Sequence, residues 1–309
     1  MKTMDNESVD LIVTDPPYNL SKDYGETKDN LEFEEYLKFT RDWIREADRV
    51  LKREGTIYIF MGVRFISYVY QILEQEMGYE FNSWITWYYT QGIGKKKGFS
   101  PRHDDILMFT KSKKSTFNLD EIRVPQKFYR SVNNMRGANP GNVWEFSHVH
   151  YSQKNRQKHP TQKPEGLFER MILASSNKGD LVLDPFVGSG TALRVCQQLN
   201  RKCIGIDINQ DYIDISNERI ESVFEGFDSI DARFERVPND LNDRELRMEY
   251  VENHINWFLK NHSNAIESFI KSVMEKYDKK IDEEERSFLN ELSKRKIICD
   301  DSNSQLALF

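Results

Sequence analysis

Cysteine is scarce in this chain of 309 residues: Cys196, Cys203 and Cys299 are the whole complement. An odd count excludes a simple disulfide framework and the spacing matches no zinc site, so the three are read as reduced, structural thiols and no metal is expected. Also missing is any run of about 18 apolar residues, or a signal-like start, so the chain reads as soluble, with the cytoplasm as its expected location. No dinucleotide-style GxGxxG occurs, and glycine disappears after Gly226. Positive charge is in deficit overall, and a net charge of −6 argues on its own against a nucleic-acid partner.

The distribution of charge reverses that argument. Gln91 to Arg170 carries 16 Lys and Arg against 7 Asp and Glu, a local net of +9, whereas Glu218 to Phe309 carries 14 against 21, a local net of −7. An acidic C-terminal part masks a basic middle, and the middle is where a polyanion would bind. A basic surface that is merely solvated is the competing reading.

Val9-Asp10-Leu11-Ile12-Val13-Thr14 is a short β-rich run halted at Asp15-Pro16-Pro17, because proline cannot continue a central strand. The polar stretch Ser21 to Asn30 reads as a mobile surface segment. Tyr36, Phe39, Trp43, Ala47 and Val50 recur at three- and four-residue steps and predict a helix over 33–51. Residues 55–60 then read as a strand, 65–76 as a helix and 81–89 as an aromatic, β-branched strand; this alternation predicts a mostly parallel sheet. Residues 91–151, with scattered glycines among lysines, arginines and aromatics, read as a basic insertion with little periodic structure. Order resumes with a helix over 164–175, a strand over 180–184, a glycine turn, a helix over 191–199 and a strand over 203–207, a complete βαβ unit. Beyond it, Ile266, Phe269, Ile270, Val273 and Tyr277 keep helical spacing. The expected division is therefore an α/β half over 1–90, the insertion over 91–151, a second α/β half over 152–220 and a helical extension over 221–309.

Two short motifs carry the chemistry. Asp184-Pro185-Phe186-Val187-Gly188-Ser189-Gly190-Thr191 ends a strand and opens a helix, and Asp207 closes the next strand. That is about 20 residues past the first glycine, where a nucleotide-binding unit places its ribose-binding carboxylate. A glycine turn that serves packing alone is the competing reading. Asp15-Pro16-Pro17-Tyr18 offers a carboxylate, a rigid backbone and an aromatic face, the parts needed to orient and deprotonate a flipped-out base bearing an exocyclic amine.

Read together, the motifs resemble the amino-group DNA methyltransferases: Asp15 to Tyr18 match their catalytic motif and Asp184 to Thr191 their cofactor motif. Catalytic before cofactor, with His159-Pro160-Thr161-Gln162-Lys163-Pro164 just ahead of the cofactor strand, is similar to the permuted β group, and the resemblance spans about Val9 to Arg219. It implies a Rossmann-like α/β methyltransferase sheet with a basic loop insertion and a helical appendage. It also implies S-adenosylmethionine as cofactor, bound by Asp184, Phe186, Gly188, Ser189, Gly190, Thr191 and Asp207, a ligand that lacks the pyrophosphate GxGxxG serves. Thr161 and Lys163 would line its methionine end, Lys163 as partner of the carboxylate. These enzymes usually begin with a further strand and a Gly-Asp-containing helix, so the sheet is expected to be one strand short and the native start to lie upstream of Met1.

An exocyclic amine is a poor nucleophile while its lone pair is delocalised into the ring. The Asp15 carboxylate and the Pro16 carbonyl can each take one amine hydrogen, the two prolines hold that carbonyl still, and Tyr18 supplies a face for stacking. In the family, aspartate at the first motif position is typical of adenine N6 transfer and serine of cytosine N4 transfer. Adenine N6 is thus the leading expectation and cytosine N4 the alternative. Carbon-5 transfer needs a thiolate, and no cysteine follows a proline in a suitable loop. A non-catalytic cofactor- or DNA-binding remnant is the competing class; protein-glutamine relatives tend to have asparagine where Asp15 stands. DNA recognition is expected from the basic segment. Lys95, Lys96, Lys97, Arg102, Lys111, Lys113, Lys114, Arg130 and Arg136 are candidates for phosphates, and Asn133, Asn134, Arg136 and Asn139 for base edges. Trp144, His148, His150 and Tyr151 either line the base pocket or pack the loop. A companion restriction endonuclease is an expected partner, and the helical extension is read either as a dimerisation or clamping element or as a layer on the sheet.

Overall fold

Six residues with almost no polar face, Val9–Thr14 (β1), lie near the centre of a seven-stranded sheet. The protein is seen in a computed structural model that describes residues 1–20, 29–90, 92, 94–124, 126, 132, 137–149, 156–222, 241–261, 265–294, 297–298 and 307–308. Beside β1 run β2 (Leu51–Met61) and β6 (Leu181–Asp184), both parallel to it, and β7 (Lys202–Gly205) continues parallel to β6. On the other side β4 (His103–Thr110) is antiparallel to β2, β3 (Glu80–Tyr88) is antiparallel to β4, and β5 (Val143–Glu145) is parallel to β3. The order is β5-β3-β4-β2-β1-β6-β7. Two reversals cancel, so every strand except β4 ends at the same edge, the edge at which an open α/β sheet binds its ligands.

The mostly parallel sheet is therefore present, with two strands, β4 and the short β5, where an irregular insertion was expected. β4 lies inside 91–151, and Ile106 to Phe109 are buried on both faces. A strand covered on both sides has no polar alternation to betray it. β2 starts at Leu51 rather than near Gly55, because a register shift between Val9 and Leu11 lets Lys52-Arg53-Glu54-Gly55 bulge without ending the pairing.

Helix α1 (Phe33–Val50) buries Tyr36, Leu37, Trp43, Ile44, Ala47 and Val50 in the sheet's main apolar cluster. A fully buried aliphatic side chain of the size of Leu37, Ile44 or Val50 contributes about 1.5–3 kcal/mol. Helix α2 (Ile66–Gln71) passes directly into a π-helical turn, Ile72–Glu76. Helix α3 (Glu165–Ser175) is buried along its whole length, with the Arg170 guanidinium over the rings of Trp144 and Phe146 at 5.0 and 4.8 Å. Helices α4 (Thr191–Gln198) and α5 (Gln210–Glu221) complete the βαβ region. Cys196 is buried on α4 and Cys203 sits on β7, both as free thiols; Cys299 is outside the described residues.

Packing divides the chain into two units, residues 1–118 with 141–231 and residues 119–140 with 232–309. This differs from the expected boundaries because β4 and β5 belong to the sheet, leaving only 119–140 to group with the C-terminal part. The second unit has its own apolar core from α6 (Arg244–Asn261), α7 (Ile266–Lys276) and α8 (Glu283–Leu292), in which Ile266, Phe269, Ile270 and Val273 are buried. Arg247 and Glu285, both essentially inaccessible, form a two-bond ion pair at 2.7 Å in that core. His254, among Tyr250, Phe258 and Phe269, has its pKa pulled down to about 3 by burial.

Candidate active site

Because β1 and β6 are neighbours in parallel register, Leu11 against Val182 and Ile12 against Leu183, the segments that follow them emerge side by side. The two motifs, some 170 residues apart in sequence, thus face each other at about one strand spacing. Lys163 Nζ donates to Asp15 Oδ2 in an ion pair, and the Tyr18 hydroxyl donates to Asp15 Oδ1 at 2.6 Å. From α1 the Tyr36 hydroxyl donates to the Pro17 carbonyl at 2.6 Å, and Gly62 at the end of β2 leaves room for the Tyr18 ring. The chain then turns at Asn19, φ +56°, where the Asp29 carboxylate accepts the N–H groups of Asn19 and Leu20 at 2.6 and 2.8 Å. Asp29 falls in the stretch read as a mobile surface segment, yet it is buried and pins the chain just after the Asp15–Tyr18 motif. Residues 21–28 lie outside the described ones.

The glycine turn is held from three sides. Gly190 has φ +75°, and a Cβ there would stand 2.9 Å from the Ser216 side chain on α5. Ser216 Oγ donates to the Gly188 carbonyl at 2.9 Å. Arg219, also on α5, donates to the Ser189 carbonyl at 2.9 Å, to Thr191 Oγ1 at 3.0 Å and to Glu165 Oε1 at 2.5 Å, in a pair buried on both sides. Asp207 accepts the N–H of Gly188 at 3.0 Å through one oxygen and that of Asn209 at 2.9 Å through the other. Phe186 packs edge-on against Phe39 and Trp43.

Asp184 is buried at the start of this turn and accepts the Phe186 N–H at 3.2 Å. Burial pushes its carboxyl up to about 7, with the charges of Asp15 and Asp207 acting in the same direction. The folded value lies above the unfolded one of about 3.9, so the stability Asp184 contributes is complete below about pH 4 and is lost as pH rises toward 7. Asp184→Asn stays neutral. Its stability relative to the native protein should climb between pH 4 and 7 and level off above; a pH-independent difference in urea denaturation would refute this.

Two cavities open at this edge. The first, about 440 Å³, is lined by Phe39, Phe168, Phe186, Ile206, Ile208 and Tyr212, by Gly188 and Ser189, and by the carboxylates of Asp184 and Asp207. A second, about 340 Å³, is lined by Pro16, Tyr18, Leu20, Tyr89, Asp104 and His148. Asp15, Thr161 and Lys163 line both, so the two cavities share a wall made of the ion pair.

A family model described as DNA methylase, for N6 and N4 transfer, matches residues 9–218, and one for D12 class N6 adenine-specific DNA methyltransferases matches residues 168–305. The type II methyltransferase M.HpaI of Haemophilus parainfluenzae is 67% identical over 291 residues, covering 94% of this chain and 93% of that protein. This chain belongs to the N6/N4 DNA methylases. The DNA adenine methyltransferase YhdJ of Escherichia coli K12 is 38% identical over 235 residues, 72% of this methylase and 79% of YhdJ. The crystal structure of the M1.HpyAVI–SAM complex matches with a TM-score of 0.53 at 26% identity, over 72% of this chain and 91% of that one. The methylase is an S-adenosylmethionine-dependent enzyme that acts on DNA adenine.

The first cavity fits that cofactor on its own chemistry. Its volume is in the range of small-molecule sites, its walls are mainly apolar, and the Asp207 carboxylate keeps acceptor capacity beyond the two backbone N–H groups it holds. Gly188, φ +47°, has no room for a Cβ, which would meet the His159 ring at 2.8 Å.

Among the expected DNA contacts, Lys95, Lys96 and Lys97 are exposed and Arg102 is half-buried, all on the β3–β4 loop at the edge of the cavities. Lys111, Lys113 and Lys114 follow the far end of β4, at the opposite edge. Lys111 Nζ donates to the carbonyls of Asp48 and Leu51 and pairs with Asp48 at 3.0 Å, which makes it a fastener of α1 to β2 instead of a phosphate contact. Arg130, Asn133, Asn134 and Arg136 lie outside the described residues, as do His150 and Tyr151. Asn139 falls in the unit of residues 119–140. Trp144 is buried on β5, whereas His148 lines the second cavity against Tyr89, ring centroids 4.0 Å apart. Sequence reasoning missed Asp29, Tyr36, Glu165, Ser216 and Arg219, none of which lies in a motif. No membrane-crossing helix, long and apolar enough, occurs among the described residues.

Proposed function

We propose that the methylase moves a methyl group from S-adenosylmethionine to the exocyclic N6 of an adenine held in the second cavity, and so protects DNA from a companion restriction endonuclease in the same cytoplasm. The observation that carries this reading is the wall of Asp15 and Lys163 common to both cavities. In the first cavity the cofactor supplies an electrophilic methyl on a sulfonium, so positioning replaces metal or covalent catalysis.

The remaining work falls to side chains. Asp207 takes ribose hydroxyls, Phe186, Ile206 and Ile208 cover the adenine moiety, and Lys163 takes the methionine carboxylate. Across the wall Tyr18 stacks on the extracted base, a contact worth about 1–3 kcal/mol against the few kcal/mol of extraction. The Asp15 carboxylate and the Pro16 carbonyl each accept one amine hydrogen, which localises the nitrogen lone pair, and Asp15 Oδ2 receives the proton released on transfer. Lys163 and the Tyr18 hydroxyl donate to the two Asp15 oxygens. Lys163 would turn its ammonium to a bound methionine carboxylate, which would leave one Asp15 oxygen to the amine. The electrostatics thus favour cofactor before base. Lys95, Lys96, Lys97, Arg102 and Arg130 hold phosphates in this scheme, while Asn133, Asn134 and Arg136 reach base edges.

The test is transfer of labelled methyl to mixed-sequence duplex DNA, followed by digestion to nucleosides. Label in N6-methyladenine is expected. Label in N4-methylcytosine would replace the base assignment, and no label alongside measurable cofactor binding would sink the transfer reading.

A further inference from the structure

Phe99 is 100% exposed, a large ring standing free in water, in the loop Lys95-Lys96-Lys97-Gly98-Phe99-Ser100-Pro101-Arg102 between β3 and β4. The loop tip is closed: the Lys95 N–H donates to Ser100 Oγ at 2.8 Å, and Gly98 takes φ +83° immediately before the ring. Its base is closed as well, since the Tyr89 N–H donates to the Arg102 carbonyl at 3.0 Å. Tyr89 and Asp104, the residues flanking that base, both line the second cavity. An exposed aromatic ring is therefore mounted on a braced, lysine-bearing arm that springs from the rim of the base pocket. Three adjacent ammonium groups repel a second copy of the same tip and attract a polyanion. Apolar side chains that accompany such charge in DNA-binding proteins enter the base stack, and every base offers a face to stack on.

We propose that Phe99 is a wedge that enters duplex DNA at the gap left by the extracted adenine, with Lys95, Lys96 and Lys97 on the flanking phosphates. The inference rests on the DNA-methylation reading above and adds to it the residue that keeps the gap from closing. Extraction removes stacking on both sides of the adenine; a ring in the vacancy restores part of it and slows the return of the base.

The experiment uses Phe99→Ala and Phe99→Trp on duplexes that carry the site the native enzyme methylates, identified by sequencing DNA methylated by it. One duplex is fully paired; in the other the target adenine faces an abasic position, so it is already unpaired. Phe99→Ala should lower kcat/KM on the paired duplex by about ten- to a hundredfold, with most of the loss restored on the abasic duplex and Phe99→Trp near native on both. Cofactor affinity and thermal stability should not change, because the ring is fully exposed. Native activity of Phe99→Ala on the paired duplex overturns the wedge; so does an equal loss on both duplexes, which marks a general DNA contact. If the native enzyme leaves no methylated site for sequencing to identify, the methylation reading fails and the wedge falls with it.

Discussion

Asp15→Ala should lower methyl transfer by at least about a thousandfold while S-adenosylmethionine still binds. The carboxylate is the charged acceptor common to both cavities, and its two oxygens are aimed by Tyr18, three residues along the same loop, and by Lys163, 148 residues away. Truncation removes the group that would localise the amine lone pair and accept its proton, and nothing else on the shared wall is a base: Thr161 is a hydroxyl and Lys163 a cation. Cofactor binding survives because the glycine turn, Asp207 and the apolar wall are held by α1, α3 and α5 without help from Asp15. The Lys163 ammonium, relieved of its carboxylate, is left to attract the carboxylate of methionine. Asp15→Asn keeps an acceptor oxygen without the charge, so its activity should lie between the two. Single-turnover transfer and equilibrium cofactor binding, measured on the same preparations, separate the effects. Transfer within tenfold of native would remove Asp15 from the chemistry.

Arg219→Met should have the opposite profile, with stability and cofactor affinity falling together. Arg219 touches no substrate, but its guanidinium joins α5 to the Ser189 carbonyl, to Thr191 and to Glu165. Both members of the Arg219–Glu165 pair are almost inaccessible. Removing one partner of a buried pair leaves the other charge without compensation, at a cost of about 3–5 kcal/mol, a large part of the roughly 5–15 kcal/mol by which a folded domain is stable. The glycine turn, proposed above to cradle the cofactor, loses its anchor in the same step. Adding Glu165→Gln to Arg219→Met should recover part of the stability, since no lone charge then remains, but not the cofactor affinity, since Ser189 stays unheld. Urea denaturation with cofactor titration reads both quantities. A single variant within about 1 kcal/mol of native would show that the pair contributes little.

These two residues mark how far the sequence carries. Asp15 was legible because its motif is local: a β-rich run that must stop at two prolines, then an aromatic, all within a dozen residues. The glycine turn was legible for the same reason, and the distance to Asp207 follows from the length of a βαβ unit. α1 and α7 could be read from the three- and four-residue recurrence of their buried faces. The site contacts of Arg219 and Tyr36 gave no signal, because their partners lie 54 and 19 residues away and nothing local distinguishes an arginine that ties a turn from one on a solvated helix, or a tyrosine that holds a loop from one that only packs. β4 was lost because burial on both faces removes the alternation that identifies strands, and Lys111 was misread because charge composition says nothing of which sheet edge a residue occupies.

The sequence by itself determined the motifs: a carboxylate on a proline-stiffened loop, a glycine turn between a strand and a helix, and the order that marks the permuted methylases. Those properties reside in short segments whose backbone conformation is dictated by proline, glycine and strand propensity. Only the tertiary structure decided that Asp15 and Lys163, 148 residues apart, form one wall between two cavities, and that α5 and Asp29 brace the loops on either side. That placement depends on β1 pairing with β6, a long-range contact whose partner no local pattern specifies.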